Sequence, residues 1–411
     1  MSRTKRVSPV YLALFVGLYA VQGVVVAYFF NFNQIFMQAS GVTAEATAKV
    51  QSLALVPFIL KFLGGPISDR FNLLGFGHRK PYIVVGLVVQ MLGLLGLVAV
   101  HPGRYLGAFT TLAVLTVTGL ALYDTCCDGM VIDVTPPDDR PRVQGTLVAA
   151  RAVAATICSF AFGAWLEGEV GGLERFFKVI YTCAALGMVP LILALWVREP
   201  RRAADAERFQ WEALRVLILP RSLILLAFGA FYATVGYGIE INLSPYYQSL
   251  HFQEGQIGTY ASIRYIGRAA GAALMPISAG RLGRRWVLRI GILMLAASAV
   301  GQVLVVGTAS AILGAFAFGV ANGWNDALYY VLAMEASDPR MAASTYALFM
   351  AVSNVSVMGG WVFAEVAAAL GHGFTRAFIA SALFTLIAWP LIRPLSRPAP
   401  DPQLEPADVL A

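Results

Sequence analysis

The sequence predicts an all-α membrane protein, with twelve transmembrane helices in two pseudo-symmetric six-helix bundles. Three observations carry this. Of 411 residues, 58% are apolar and 13% charged, where soluble chains run nearer about 45–50% and about 25%. Twelve apolar runs recur along the chain, each close to the roughly 20 residues that one bilayer crossing needs. The two halves of the chain also echo each other.

The runs fall at about 10–30, 47–69, 81–100, 106–132, 142–166, 175–197, 221–246, 256–279, 286–306, 309–334, 341–368 and 373–392. They read as helices because open sheet edges go unsatisfied in lipid, and because they are too long for barrel strands. Arg3, Lys5 and Arg6 precede the first run in the manner of a signal peptide, but the run is too long and no small-residue cleavage site follows it. It is expected to stay as the first helix.

Placement of Lys and Arg sets the orientation. With a cytoplasmic N-terminus, 21 of the 30 basic residues fall in inner segments or at the inner ends of the runs, 5 in outer segments or at the outer ends, and 4, Lys61, Arg151, Arg264 and Arg268, deep inside the runs. Both termini are therefore expected in the cytoplasm and the chain in the inner membrane. The net charge of +7 reflects these loops, so no nucleic-acid partner is expected. The expected partners are the bilayer, a small-molecule substrate and a proton, and the chain is expected to be a monomer.

The division expected is a first bundle over 1–197, a cytoplasmic linker over 198–220, a second bundle over 221–393 and a disordered tail over 394–411. Pro200 and Pro220 lie near the ends of the linker, and the tail is polar and rich in proline. Gly65-Pro66-Ile67-Ser68-Asp69-Arg70 after the second run is echoed by Gly280-Arg281-Leu282-Gly283-Arg284-Arg285 after the eighth. Asp124 and Asp128 in the fourth run are echoed by Asp326 in the tenth. Such repeats are a mark of transporter architecture.

Here the chain resembles the major facilitator superfamily of transporters. Gly65, Asp69 and Arg70, then Gly77, Arg79 and Lys80, match its loop signature G-x-x-x-D-R followed by G-x-[RK]-[RK], with Phe71 to Phe76 between the two parts. Lys61-Phe62-Leu63, the stretch Asp124 to Asp133, and Thr345-Tyr346-Ala347-Leu348 are similar to the branch of muropeptide permeases and acetyl-coenzyme A transporters. The resemblance implies two bundles rocking about a midplane site. It implies a conformational gate formed by Gly65, Asp69, Arg70, Arg79 and Lys80, with Arg281, Arg284 and Arg285 in the second copy. It also implies that the third, sixth, ninth and twelfth helices are peripheral.

An ionisable side chain at bilayer depth is costly and is a functional lead. The candidates are Lys61, Asp124, Asp128, Asp133, Arg151, Glu240, Arg264, Arg268, Asp326, Glu335 and Glu365. None is central in the four helices the resemblance makes peripheral. Asp124 and Asp128 are four apart on one helix face, at a depth similar to Lys61 and Arg151. These four are the proton-coupling candidates, and the open alternative is a fixed ion-pair network. Arg264 and Arg268 suit recognition of carboxylate or phosphate; the alternative is pairing with Glu240 or Asp326. With Arg264 and Arg268, the substrate-binding candidates are Glu240, Asp326, Tyr28, Tyr237, Asn322, Trp324 and Asn325; Asn31, Asn33, Gln34, Asn242 and Tyr246 could also line a polar cavity.

Little supports catalysis or a cofactor. No HExxH, Walker loop, GxSxG or dinucleotide fingerprint occurs. Cys126, Cys127, Cys158 and Cys183 lie in apolar runs without CxxC spacing, and the four histidines fall in loops, so no metal site is expected. The expectation is a secondary active transporter, proton-coupled, of a polar anionic or amphiphilic metabolite. A multidrug-type exporter and a non-transporting assembly factor are the rivals.

Overall fold

The computed structural model describes residues 6–61, 67, 68, 72, 77–136, 139–167, 172–199, 218–336, 348–351, 354–371 and 373–397. Among them the regular structure is helical throughout. The first run extends further than its apolar pattern. After α1 (Pro9–Asn31), with proline in its first turn, Phe32 continues the chain into α2 (Asn33–Ala39). The Phe32 amide still donates to Tyr28 O at 2.9 Å.

The second run, expected as one helix over 47–69, is split. α3 (Ala44–Ala54) starts earlier because Thr43 caps it, its hydroxyl accepting from the Ala46 amide at 3.2 Å. The chain then turns at Leu55 into α4 (Val56–Leu60), where Pro57 lacks the N–H a continuous helix would use. There follow α5 (Lys80–Ala99), α6 (Leu106–Val134), α7 (Arg140–Glu167), α8 (Glu174–Trp196), α9 (Pro220–Ser249), α10 (Glu254–Leu282), α11 (Arg284–Val303) and α12 (Thr308–Ala336). The eleventh run is broken too: a 3₁₀ turn at Asn354–Met358 precedes α13 (Gly359–Ala369). The last run is α14 (Phe374–Leu386), a 3₁₀ turn at Trp389–Leu391 around Pro390, and α15 (Ile392–Leu395).

Nine spans among the described residues are long and apolar enough to cross a membrane. α10 and α12, with 29 residues each, have the length at about 43 Å. They fall short in hydropathy because they carry the polar groups described below. The chain is a multi-pass membrane protein.

Within the first bundle α1 packs on α7 and α8, and α5 on α6 and α8. In the second, α10 packs on α12, α9 on α13, and α11 on α12 and α14. The bundles meet where α7 lies against α10 and α3 against α13. Small residues allow the first of these contacts. A Cβ on Gly163 would stand 2.7 Å from Glu254 O and 2.9 Å from the Gly258 Cα. Close by, Ser262 Oγ donates to Thr156 O at 2.8 Å. α10 and α12 are closer still, since a Cβ on Gly323 would stand 1.8 Å from Arg268 O. That contact fixes where Arg264 and Arg268 stand along the bundle.

Candidate functional site

In the first bundle four helices contribute to one polar cluster. α1 supplies Tyr19 and Gln22, α6 supplies Asp124 and Asp128, α7 supplies Arg151, and Lys61 follows α4. Lys61 Nζ lies 3.2 Å from Asp124 Oδ2, and Gln22 Nε2 donates to Asp124 Oδ1 at 2.7 Å. Arg151 Nη1 donates to Gln22 Oε1 at 3.1 Å, so Gln22 links the guanidinium to the carboxylate. Asp128 is held differently: Tyr19 Oη donates to its Oδ1 at 2.5 Å. Asp124 is buried, whereas Lys61, Asp128 and Arg151 are partly or largely accessible. The four predicted coupling residues therefore stand together, with Asp124 serving the lysine and Asp128 serving a phenol. Gln22 and Tyr19 were not legible as site residues, although a lone glutamine in an apolar run is a signal that identifies the former.

In the second bundle Glu240 on α9 and Asp326 on α12 bracket the two arginines of α10. Arg268 Nη1 lies 3.2 Å from Glu240 Oε2, and its Nη2 lies 2.6 Å from Asp326 Oδ2. Arg264 Nη2 lies 3.5 Å from Glu240 Oε1 and donates to Asn31 Oδ1 at 2.9 Å, crossing from the second bundle to the first. Asn31 Nδ2 donates in turn to Ser159 Oγ at 3.2 Å. The side chain of Arg264 is 3% accessible and that of Arg268 31%. One arginine is thus locked between the bundles while the other, paired with two acids, keeps about a third of its side chain accessible. Tyr237 lies beside them, its ring centroid 6.2 Å from that of Phe30 on α1.

Several cavity candidates have other work. Trp324 Nε1 donates to Val287 O at 3.1 Å and Asn325 Nδ2 to Gly291 O at 2.9 Å, so both fasten α12 to α11. A helix turns about 100° per residue, which points Asp326 at Arg268 but these two elsewhere. Asn322 is buried against Gly236 of α9. Tyr28 is fully buried and donates to Asn33 Oδ1 at 3.1 Å; Asn33 Nδ2 donates to Gln51 Oε1 at 3.0 Å, a chain joining α1 to α3 through α2.

Of the gate residues, Gly65, Asp69 and Arg70 lie outside the described residues. Arg79 Nη1 donates to Ser68 Oγ at 2.7 Å, and Nε lies 3.5 Å from Asp133 Oδ2. Lys80 Nζ donates to Leu195 O at 2.8 Å. The carboxylate of Glu199, just past α8, accepts the backbone amides of His78, Arg79 and Lys80 at 2.9, 2.9 and 3.0 Å. It caps the N-terminus of α5, where orphan amides and the helix dipole favour an anion. In the second copy Arg284 pairs with Glu335, while Arg281 and Arg285 are exposed. At the opposite end Arg175 Nη2 lies 2.6 Å from Glu254 Oε1, joining α8 to α10. Among the described residues no group of three or more His, Cys, Asp or Glu is arranged to hold a metal.

The family model described as "Major Facilitator Superfamily" matches residues 10–253 and again 226–409. A bacterial homologue of the human lysosomal transporter Spinster, in an inward-facing and unoccupied conformation, is 17% identical. It superposes with a TM-score of 0.71 over 95% of this chain and 98% of its own. The nucleoside transporter NupG is 12% identical with a TM-score of 0.73, over 95% of this chain and 100% of its own. A D-xylose-proton symporter is 15% identical with a TM-score of 0.72, over 95% and 99%. At such identities the likeness is one of fold. No curated protein sequence matches the chain. The double match of the family model spans nearly every residue, and the chain belongs to the Major Facilitator Superfamily of membrane transporters.

Proposed function

We propose that the chain is a proton-coupled secondary transporter of the inner membrane, carrying a polar metabolite with an anionic head, amphiphilic in the rest. Bundles over 1–197 and 221–393 rock about the midplane, and both termini face the cytoplasm. The observation that carries this reading is the unequal treatment of the two aspartates on α6. Asp124 is neutralised by Lys61 and oriented by Gln22. Asp128 is held by a neutral phenol, so taking up a proton there breaks no ion pair and leaves Asp124 in place.

Protonation of Asp128 leaves the two clusters with a surplus positive charge, which favours binding of an anion. Arg268, shared by Glu240 and Asp326, is the accessible cation that meets it. A carboxylate or phosphate on the cargo displaces one of the two acids and takes over its place on the guanidinium fork. The similarity around Lys61 and the α6 aspartates to the muropeptide and acetyl-coenzyme A branch favours peptidoglycan fragments or acyl-coenzyme A compounds as cargo.

Proteoliposomes with an imposed pH gradient test this, using N-acetylmuramyl peptides and acetyl-coenzyme A as cargo. Asp128→Asn should abolish uphill accumulation while leaving exchange at equal pH, because exchange needs no net proton movement. Accumulation at the wild-type level in this variant would overturn the assignment. Orientation has a separate check: an impermeant thiol reagent outside the cell should modify a cysteine placed at Thr308 but not one at Asp205.

A further inference from the structure

Arg289 lies on the outer face of α11, where the ninth crossing packs against α14 and α15 of the twelfth. It is five residues into a helix that begins at Arg284, or about 7–8 Å inside the basic end. Its guanidinium carbon stands 4.8 Å from the Trp286 ring centroid and 5.9 Å from that of Trp389. Both tryptophans are exposed, at 56% and 42%. Among the described residues no carboxylate forms an ion pair with Arg289. Arg285, a turn nearer the end, and Arg393, a turn beyond Trp389, are exposed as well.

A guanidinium that lies over aromatic rings and pairs with no carboxylate has its N–H donors left for another acceptor, and their fork fits two oxygens of a phosphate. Tryptophans favour the depth at which headgroups lie. Deeper along the same seam Leu293, Leu383 and Ile387 are exposed at 49%, 62% and 57%, an apolar surface for chains attached to that phosphate. Charge and apolarity are thus stacked in the order found in a phospholipid. We propose that Trp286, Arg289 and Trp389, with Arg285 and Arg393 at the rim, form a binding site for one anionic phospholipid. The site is separate from the midplane clusters and does not depend on what the protein carries.

The test uses the full chain, purified in neutral detergent and titrated with dioleoylphosphatidylglycerol, dioleoylphosphatidylcholine or inorganic phosphate, with retained lipid read by native mass spectrometry and protection by thermal unfolding. The wild type should retain the phosphatidylglycerol at least tenfold more tightly than the phosphatidylcholine, and inorganic phosphate should give no protection. Arg289→Gln should remove most of that preference while unfolding like the wild type in phosphatidylcholine. Should that variant fail to fold, Arg289→Lys, which keeps the charge but loses the planar fork, should weaken retention about three- to tenfold. Retention unchanged in whichever variant folds overturns the site. Equal protection by inorganic phosphate overturns the lipid and leaves a simple anion site.

Discussion

Arg264 on α10 and Asn31 on α1 are joined at 2.9 Å across 233 positions of sequence. The bond spans the two bundles while the same guanidinium stays paired with Glu240. Asn31→Ala removes the cross-bundle half of this arrangement and leaves the ion pair within the second bundle. Losing a hydrogen bond to a charged group costs about 1.5–3 kcal/mol, or about ten- to hundredfold in the balance between conformations. The variant should fold, and a single cysteine at Ser262, beside Thr156 of α7, should become markedly more reactive toward a small thiol reagent. Unchanged reactivity would show that the bond does not hold the bundles.

Asp124 and Lys61 form the fixed member of the first cluster. Asp124→Asn takes from Lys61 its ion-pair partner and leaves only Asp128, one turn further along α6, and breaking a buried pair from one side costs roughly 3–5 kcal/mol. Expression and melting temperature should fall together. Adding Lys61→Met should recover much of the loss, a result read by a double-mutant cycle in detergent.

Gly323 sets the spacing of α10 and α12, and the neighbouring atom is backbone rather than a side chain that can swing aside. Gly323→Ala should therefore destabilise the second bundle by about 1–3 kcal/mol, visible as a lower melting temperature. It should also displace Arg268 from Asp326 and reduce transport.

Asp139, ahead of α7 and outside the spanning segments, accepts Arg142 Nε at 2.6 Å, Arg142 Nη2 at 2.9 Å and the Val7 amide at 2.9 Å. The Arg142 guanidinium, followed by the Val7 amide, holds its carboxyl at about 2, against an ordinary value of about 3.9. A lowered value means that the clasp stabilises the folded chain above the ordinary value and is lost as pH falls from about 4 toward 2. Asp139→Asn should lower the melting temperature equally at pH 5 and pH 8. The difference from the wild type should shrink below about pH 4.

What the sequence reveals and conceals follows from the range of each interaction. Long apolar runs such as those of α5, α6 and α8 are legible because lipid imposes length and composition directly. The break at Leu55 and the 3₁₀ turn at Asn354–Met358 were read as continuous helix, since an apolar pattern carries no record of where the backbone turns. Asp124, Asp128, Arg264 and Arg268 stood out because charge in lipid is costly. Their ionic partners Lys61, Glu240 and Asp326 stood out on the same ground, whereas the uncharged Tyr19 and Gln22 did not. Glu199 falls in the expected linker, 119 to 121 positions from the amides it caps, and nothing local in the sequence marks that pairing. Trp324 and Asn325 reach α11 while Asp326 reaches Arg268, because neighbours in sequence diverge around a helix.

The pairing of the two clusters has an electrical consequence. Lys61, Arg151, Arg264 and Arg268 stand against Asp124, Asp128, Glu240 and Asp326, four cations and four acids, so the resting site is neutral. One elementary charge moved through the membrane field is worth about 2.3 kcal/mol per 100 mV. A site that balances itself can be carried from one face to the other without doing work against that field. Any current measured during turnover then belongs to what the protein carries, and the empty protein returns at a rate indifferent to voltage.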